Sequence, residues 1–138
     1  MASPGKKRDT GCPVAFALDT FGDRWTLLVI RDIVLMGRKT YGEFLAGDEG
    51  IATNVLADRL RTLEAEGIIQ KSRDPDNYRK INYALTEKGS DLIPVILEMI
   101  GWSARYDPNT MVGEQMSERI RSDRDGLVKE IRTRLGMA

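Results

Sequence analysis

Apolar positions recur at helical spacing along most of this chain and give way to a strand pattern in one short stretch. Leu56, Leu60 and Leu63 follow i, i+4, i+7 within a polar run, so about Ala52 to Glu66 reads as an amphipathic helix with its leucines toward a core. Upstream, Pro13 to Phe21 reads as a short helix, with Pro13 suited to a first turn and Gly22 breaking it. Asp23 can cap the next helix, Arg24 to Leu35, whose Trp25, Leu28, Val29 and Ile33 make a buried stripe. Gly37 ends that helix. Thr40 and Glu43 form a capping-box pattern that opens Tyr41 to Ala46, and Gly47-Asp48-Glu49-Gly50 turns the chain into the leucine helix.

Gly67 stops the leucine helix. Two strand-like pieces, Ile68 to Arg73 and Lys80 to Leu85, flank the turn formers Asp74-Pro75-Asp76-Asn77 and the residues Tyr78 and Arg79. Thr86 then caps a long helix predicted to reach about Tyr106, with Pro94 bending it or straining one hydrogen bond. Leu92 to Trp102 is apolar nearly all round, which predicts burial on more than one side, the second side against another subunit. After the break at Asp107-Pro108-Asn109, a last amphipathic helix from about Val112 to Leu135 carries Met116, Ile120, Leu127, Ile131 and Leu135. The resulting division is a flexible basic tail at 1–11, a domain with its dimerisation helix at 12–106, and a C-terminal helical extension at 107–138.

Composition narrows the class. The 138 residues fit one domain with a core. No apolar run approaches the roughly 18–20 residues of a membrane span. Met1 to Gly11 is polar, with Lys6, Lys7 and Arg8, and lacks the apolar stretch of a secretory signal. The single cysteine, Cys12, suits a reducing compartment, so a cytoplasmic location without membrane contact is expected. The absence of histidine removes the usual acid–base group and the commonest metal ligand. With no Gly-rich phosphate loop and no metal-ligand spacing, neither an enzyme nor a metal or other cofactor is expected.

Helix, turn, helix and a hairpin with a basic tip, in that order, read as a mainly α fold with a small β-hairpin, a winged helix-turn-helix. Such a unit offers a helix to the major groove of double-stranded DNA and a hairpin to the backbone or minor groove beside it. Lys plus Arg equals Asp plus Glu, 21 each, so binding phosphate requires the basic side chains to converge locally. Arg38, Lys39, Arg61, Arg73, Arg79 and Lys80 are the set that can do so. Asn54, Asp58 and Arg61 point away from the leucines, with Thr53 and Ala57 at the edge of that face. Asn can pair with adenine, Arg with guanine or phosphate, and Ala can touch a thymine methyl. Asp58 either accepts from cytosine or pairs with Arg59 or Arg61. Arg59, on the flank, is either a phosphate contact or part of a salt bridge. Arg38 and Lys39, just before the short helix, are either phosphate contacts helped by its amides or an ordinary basic surface turn, and Thr40 is a further candidate DNA contact. Arg79 is a candidate for minor-groove insertion, its alternative being a pair with Asp74 or Asp76.

Several pieces together resemble the HxlR-type branch of the MarR-like winged-helix regulators, over Cys12 to Trp102, about two thirds of the chain. They are Cys12-Pro13; Gly22-Asp23-Arg24-Trp25-Thr26-Leu27-Leu28; Arg38-Lys39-Thr40-Tyr41-Gly42-Glu43-Phe44; Leu56-Ala57-Asp58-Arg59-Leu60; Leu63-Glu64-Ala65-Glu66-Gly67-Ile68; and Tyr83-Ala84-Leu85-Thr86-Glu87-Lys88-Gly89. The resemblance implies a homodimeric transcription regulator, dimerised through added N- and C-terminal helices and bound to a partly palindromic operator, with repression the expected sign. The dimer contact is then expected at Leu92, Val95, Ile96, Met99, Ile100, Trp102, Ile120, Leu127 and Ile131. The extension past Trp102 either enlarges the dimer or shapes a small-molecule effector cavity. Cys12, which the resemblance makes a candidate oxidant or electrophile sensor, sits at a helix start, where a thiol is activated. The alternative is a small side chain at a dimer contact. Trp25, Tyr41, Phe44 and Trp102 are expected in the core. The competing function is a winged-helix protein-interaction module that has lost DNA binding, favoured by zero net charge and the acidic wing residues Asp74 and Asp76.

Overall fold

Side-chain caps set most helix starts in this chain. In the computed structural model, which describes residues 10–138, α1 (Pro13–Phe21) opens on Cys12, whose Sγ accepts from the Ala15 amide at 3.4 Å. All of the expected basic tail except Thr10 and Gly11 lies outside the described residues. α2 (Arg24–Met36) is capped by Asp23 and ended by Gly37 at φ 65°, a left-handed position that suits glycine. α3 (Tyr41–Leu45) opens on a complete capping box between Thr40 and Glu43. α4 (Thr53–Ala65) starts at Ala52 without a side-chain cap. β1 (Ile69–Arg73) and β2 (Ile81–Leu85) form a two-stranded hairpin. This is the winged helix-turn-helix that the periodicity predicts.

The chain divides into two compact units, one ending at Ala84 and one running from Leu85 to Ala138. In the first, α4 packs on α2, α3 and β1. Leu56, Leu60 and Leu63 are buried there with Val29, Ile30, Ile33, Val34 and Phe44. Of the expected α2 stripe, Trp25 and Leu28 are only half-buried, and Ile30 and Val34 fill the core instead. Phe44 is the one expected aromatic that is fully core; Tyr41 and Trp102 are exposed. The hairpin is braced twice. The Ile68 amide donates to the Leu63 carbonyl at 3.0 Å, and the Tyr83 amide donates to the Lys39 carbonyl at 2.7 Å. Phe44 and Tyr83 add a tilted ring contact at 6.2 Å.

The second unit corrects two helix expectations. The long helix predicted from Thr86 is two: α5 (Glu87–Ser90) and α6 (Ile93–Tyr106). A continuous helix would drive the Pro94 ring against the Ser90 carbonyl, so the chain restarts and Pro94 falls in a first turn, where its missing N–H costs nothing. The final helix is likewise two, α7 (Glu114–Ser122) and α8 (Arg124–Arg134), broken at Asp123, whose carboxylate accepts from the Gly126 amide at 3.2 Å. α7 and α8 fold back on α6. Ile120 approaches so closely that a Cβ on Gly101 would lie 3.1 Å from its Cγ2. Arg132 ties α8 to α5, donating to the Ser90 hydroxyl at 2.6 Å and to the Glu87 carboxylate at 2.9 Å.

That packing sorts the expected dimer set by exposure. Ile96, Ile120, Leu127 and Ile131 are buried within the single chain, where α7 and α8 pack on α6. Leu92, Val95 and Ile100 are half-buried. Met99 and Trp102 remain exposed, and Tyr106, on the same stripe of α6, joins them.

The α2–α4 contact carries a titratable group with a clear consequence. Arg59 Nε donates to Asp23 at 2.7 Å, and the Thr26 amide donates to the same carboxylate at 3.0 Å. The Arg59 hydrogen bond, against the opposing effect of burial, holds the Asp23 carboxyl below its ordinary value. Unfolded, that carboxyl titrates near 3.9. Its contribution to stability is therefore complete above about pH 4 and lost as pH falls through the lower folded value. Asp23→Asn is expected to cost about 2 kcal/mol near neutral pH and to flatten the decline in stability below about pH 4. Urea unfolding at neutral and acid pH measures both.

Candidate nucleic-acid interface

The outward face of α4 begins with Thr53 and Asn54, both exposed. The first turn is steadied from α3, where the Tyr41 hydroxyl donates to the Thr53 carbonyl at 3.2 Å. Ala57 is half-buried at the edge, and the Arg61 side chain is 73% exposed. Asp58 is already engaged, accepting from Arg59 Nη1 at 2.7 Å and Arg61 Nη2 at 3.5 Å. Of its two readings, pairing within α4 is the one formed. Arg59 is also resolved as a structural ion pair, bridging Asp58 and Asp23.

Before α3, the expected DNA contacts Arg38, Lys39 and Thr40 separate. Arg38 turns inward: its Nη1 lies 3.0 Å from Oδ1 of the buried Asp32, the same oxygen that Arg31 Nη2 reaches at 2.7 Å. Thr40 is buried, and its hydroxyl accepts from the Glu43 amide at 3.2 Å, so its side chain is used inside the capping box and is withdrawn from the DNA contacts. Lys39 stays exposed. The Lys39 amide is the main reason the Glu43 carboxyl sits below its ordinary range; burial opposes, while the Thr40 amide and the charges of Lys80 and Lys39 assist. Lys80 of the hairpin and Lys39 of the turn thus act on one carboxylate.

In the wing, Asp74 also turns inward. Its carboxylate accepts from the Asp76 amide at 2.8 Å, the Asn77 amide at 3.2 Å and Asn82 Nδ2 at 3.2 Å. These bonds, the Asp76 amide foremost, hold it below the usual carboxylate range. Arg79 and Lys80 are exposed and make no ion pair among the described residues, so the Arg79 pairing with Asp74 or Asp76 is not formed. Arg73 is not a free cation: its Nη1 donates to the Tyr78 carbonyl at 3.0 Å, and its guanidinium lies 4.7 Å from the Tyr78 ring centre.

Some surface features escape sequence reasoning. Tyr78, set among turn formers, is highly exposed, as are Val14, Phe16 and Leu18 of α1. Helix α1 is apolar nearly all round, the same signal that marks α6. The buried Asp32 has no such signature. A crevice bounded by Trp25, Phe44 and Leu56 offers about 10 Å³, room for about one water and not for an effector.

Residues 20–111 match the model of the HxlR-like helix-turn-helix family. YybR, an HTH-type transcriptional regulator of Bacillus subtilis (strain 168), is 34% identical over 121 residues, covering 87% of this chain and 88% of YybR. YodB, an HTH-type transcriptional regulator of the same organism, is 33% identical over 109 residues, 78% of this chain and 96% of YodB. Among solved structures, the redox regulator HypR in its oxidized form aligns with a TM-score of 0.61 and 33% identity, over 73% of this chain and 100% of HypR.

The two neighbouring cations should separate by stability. Arg38→Ala strips one partner from a buried carboxylate and is expected to cost about 2 kcal/mol in urea unfolding. Lys39→Ala, at an exposed side chain, should stay within about 0.5 kcal/mol of the parent.

Proposed function

This chain belongs to the HxlR-like helix-turn-helix family of transcriptional regulators, and from that premise we propose that it acts in the cytoplasm as a homodimeric repressor on a partly palindromic operator. Thr53, Asn54, Ala57 and Arg61 of α4 read base edges in the major groove. Lys39 contacts phosphate before α3, and Arg79 and Lys80 carry the wing onto the adjacent backbone and minor groove. The observation that carries this reading is the sorting of charge within the winged unit. Arg59 and Arg38 are consumed by Asp23 and Asp32, and Asp74 is folded into its own turn. Lys39, Arg79 and Lys80 are left exposed, as are Asn54 and Arg61. A chain of zero formal charge can in this way offer DNA a locally basic surface.

The subunit contact is assigned to the exposed apolar residues of α6, Met99, Trp102 and Tyr106, with Val14, Phe16 and Leu18 of α1 a separate candidate. These large side chains would be costly to leave in water on a lone subunit. Trp102→Asp should shift sedimentation from dimer to monomer at micromolar concentration, and an unchanged dimer would remove α6 from the contact.

Binding to an operator duplex should weaken steeply with salt, since each phosphate contact releases counterions. Asn54→Ala should cost on the order of 1–3 kcal/mol on the best site and little on random duplex, and Arg79→Ala should lower the salt slope by about one. Titrations at several salt concentrations check both. Salt-independent or absent duplex binding would favour the protein-interaction module instead.

Oxidant or electrophile control through Cys12 is a second element of this reading. It is favoured by the exposure of the thiol at the α1 cap and by the likeness to a protein named as a redox regulator. Cys12→Ser should bind operator as the parent does and lose any response to a thiol oxidant. A variant that still responds, or a parent that does not, would leave Cys12 a capping residue only.

A further inference from the structure

The wing tip uses several backbone groups and the Asp74 and Asn77 side chains on itself. Its neck closes through the Asp74 amide donating to the Lys80 carbonyl and the Lys80 amide donating to the Asn77 carbonyl, each at 2.9 Å. Asp74 gathers two amides and the Asn82 side chain, and Asn77 Oδ1 accepts from the Arg79 amide at 3.2 Å. What this framework presents outward, next to Arg79 and Lys80, is an aromatic ring: Tyr78 is 76% exposed. Arg73 holds the tyrosine at two points, its backbone carbonyl by a hydrogen bond and its ring by a cation–π contact.

We propose that Tyr78, oriented by Arg73, is a further DNA contact, packing on the sugar wall of the minor groove flanking the α4 site. The proposal rests on the DNA-binding reading above and adds a recognition element to it. A ring already fixed in place surrenders little conformational freedom on binding. It sits between cations that a narrow groove attracts, and apolar side chains are the groups that proteins lay against minor-groove sugars and base steps. Arg73 is then a positioning residue, because its guanidinium faces the ring and the loop carbonyl.

The test is binding of the full-length protein to operator duplex by Tyr78→Ala, Tyr78→Phe, Arg73→Lys and the Arg73→Lys/Tyr78→Ala pair, each first matched to the parent in urea midpoint. Tyr78→Ala should weaken binding on the order of tenfold with the salt slope unchanged, since no charge is lost. Tyr78→Phe should bind nearly as the parent. Arg73→Lys keeps the charge but loses the flat stack, so it should reproduce most of the Tyr78→Ala loss. The double variant should be little worse than either single one, the mark of two residues acting as one. Hydroxyl-radical cleavage should rise only at the flank sugars and stay low across the half-site. Parent-like binding by Tyr78→Ala overturns the proposal, as do additive losses in the double variant, which would make Arg73 an independent phosphate contact. If the parent itself shows no salt-dependent duplex binding, the underlying DNA-binding reading falls as well. A Tyr78→Ala defect confined to binding a protein partner would assign the tip to that partner.

Discussion

The carboxylate of Asp23 is where α4 is joined to α2. It caps α2 through the Thr26 amide and hydroxyl, and it receives Arg59 from α4 through Nε and Nη2. One side chain therefore satisfies a helix start and pins α4 to α2. Its partial burial makes the pair stronger than an exposed one, where solvent and salt leave about 0–1 kcal/mol. Arg59 passes the constraint outward to Asp58, and Asp58 to Arg61, so the polar face of α4 is ordered from its inner flank. The segments Gly22–Leu28 and Leu56–Leu60, far apart in the chain, meet at this contact.

The positions of α1 to α4 and the hairpin were legible because their punctuation is local. Caps at Asp23 and Thr40, stops at Gly37 and Gly67, and the Asp74–Asn77 turn each act within a few residues. The break before Ile93 carries a local mark, Pro94, which reads equally as a bend within one helix; the break at Asp123 was not legible, because apolar spacing continues across it. The candidate site divides in the same way. Exposure of Asn54, Arg61 and Arg79 follows from helix and turn geometry. The inward turn of Arg38 depends on Asp32, which a sequence presents as one more acid on a helix. The burial of Ile120, Leu127 and Ile131 depends on α7 and α8 folding back, and an amphipathic pattern does not say whether its partner is the same chain or another.

The extension changes what α6 has to offer. An apolar helix of that length normally needs partners on several sides. Here one side is met by Ile120 at Gly101, with the Arg124–Glu98 ion pair and the Arg132 contacts to Glu87 and Ser90 fastening the cover. The stripe of Met99, Trp102 and Tyr106 is narrower than the sequence suggests, and it is largely aromatic, with the Trp102 and Tyr106 rings in tilted contact at 5.2 Å. Contacts of that composition give much buried area per ordered side chain.

The bond from the Tyr83 amide to the Lys39 carbonyl has a mechanical meaning. It fastens the second wing strand to the turn between α2 and α3, while Ile68 fastens the first strand to the end of α4. A framework braced across both edges has few soft internal coordinates, and stiff blocks move as whole bodies. Any signal that alters the grip of such a reader has little shape to change inside it. In a homodimer of the kind proposed above, what remains adjustable is the distance and angle between two such blocks.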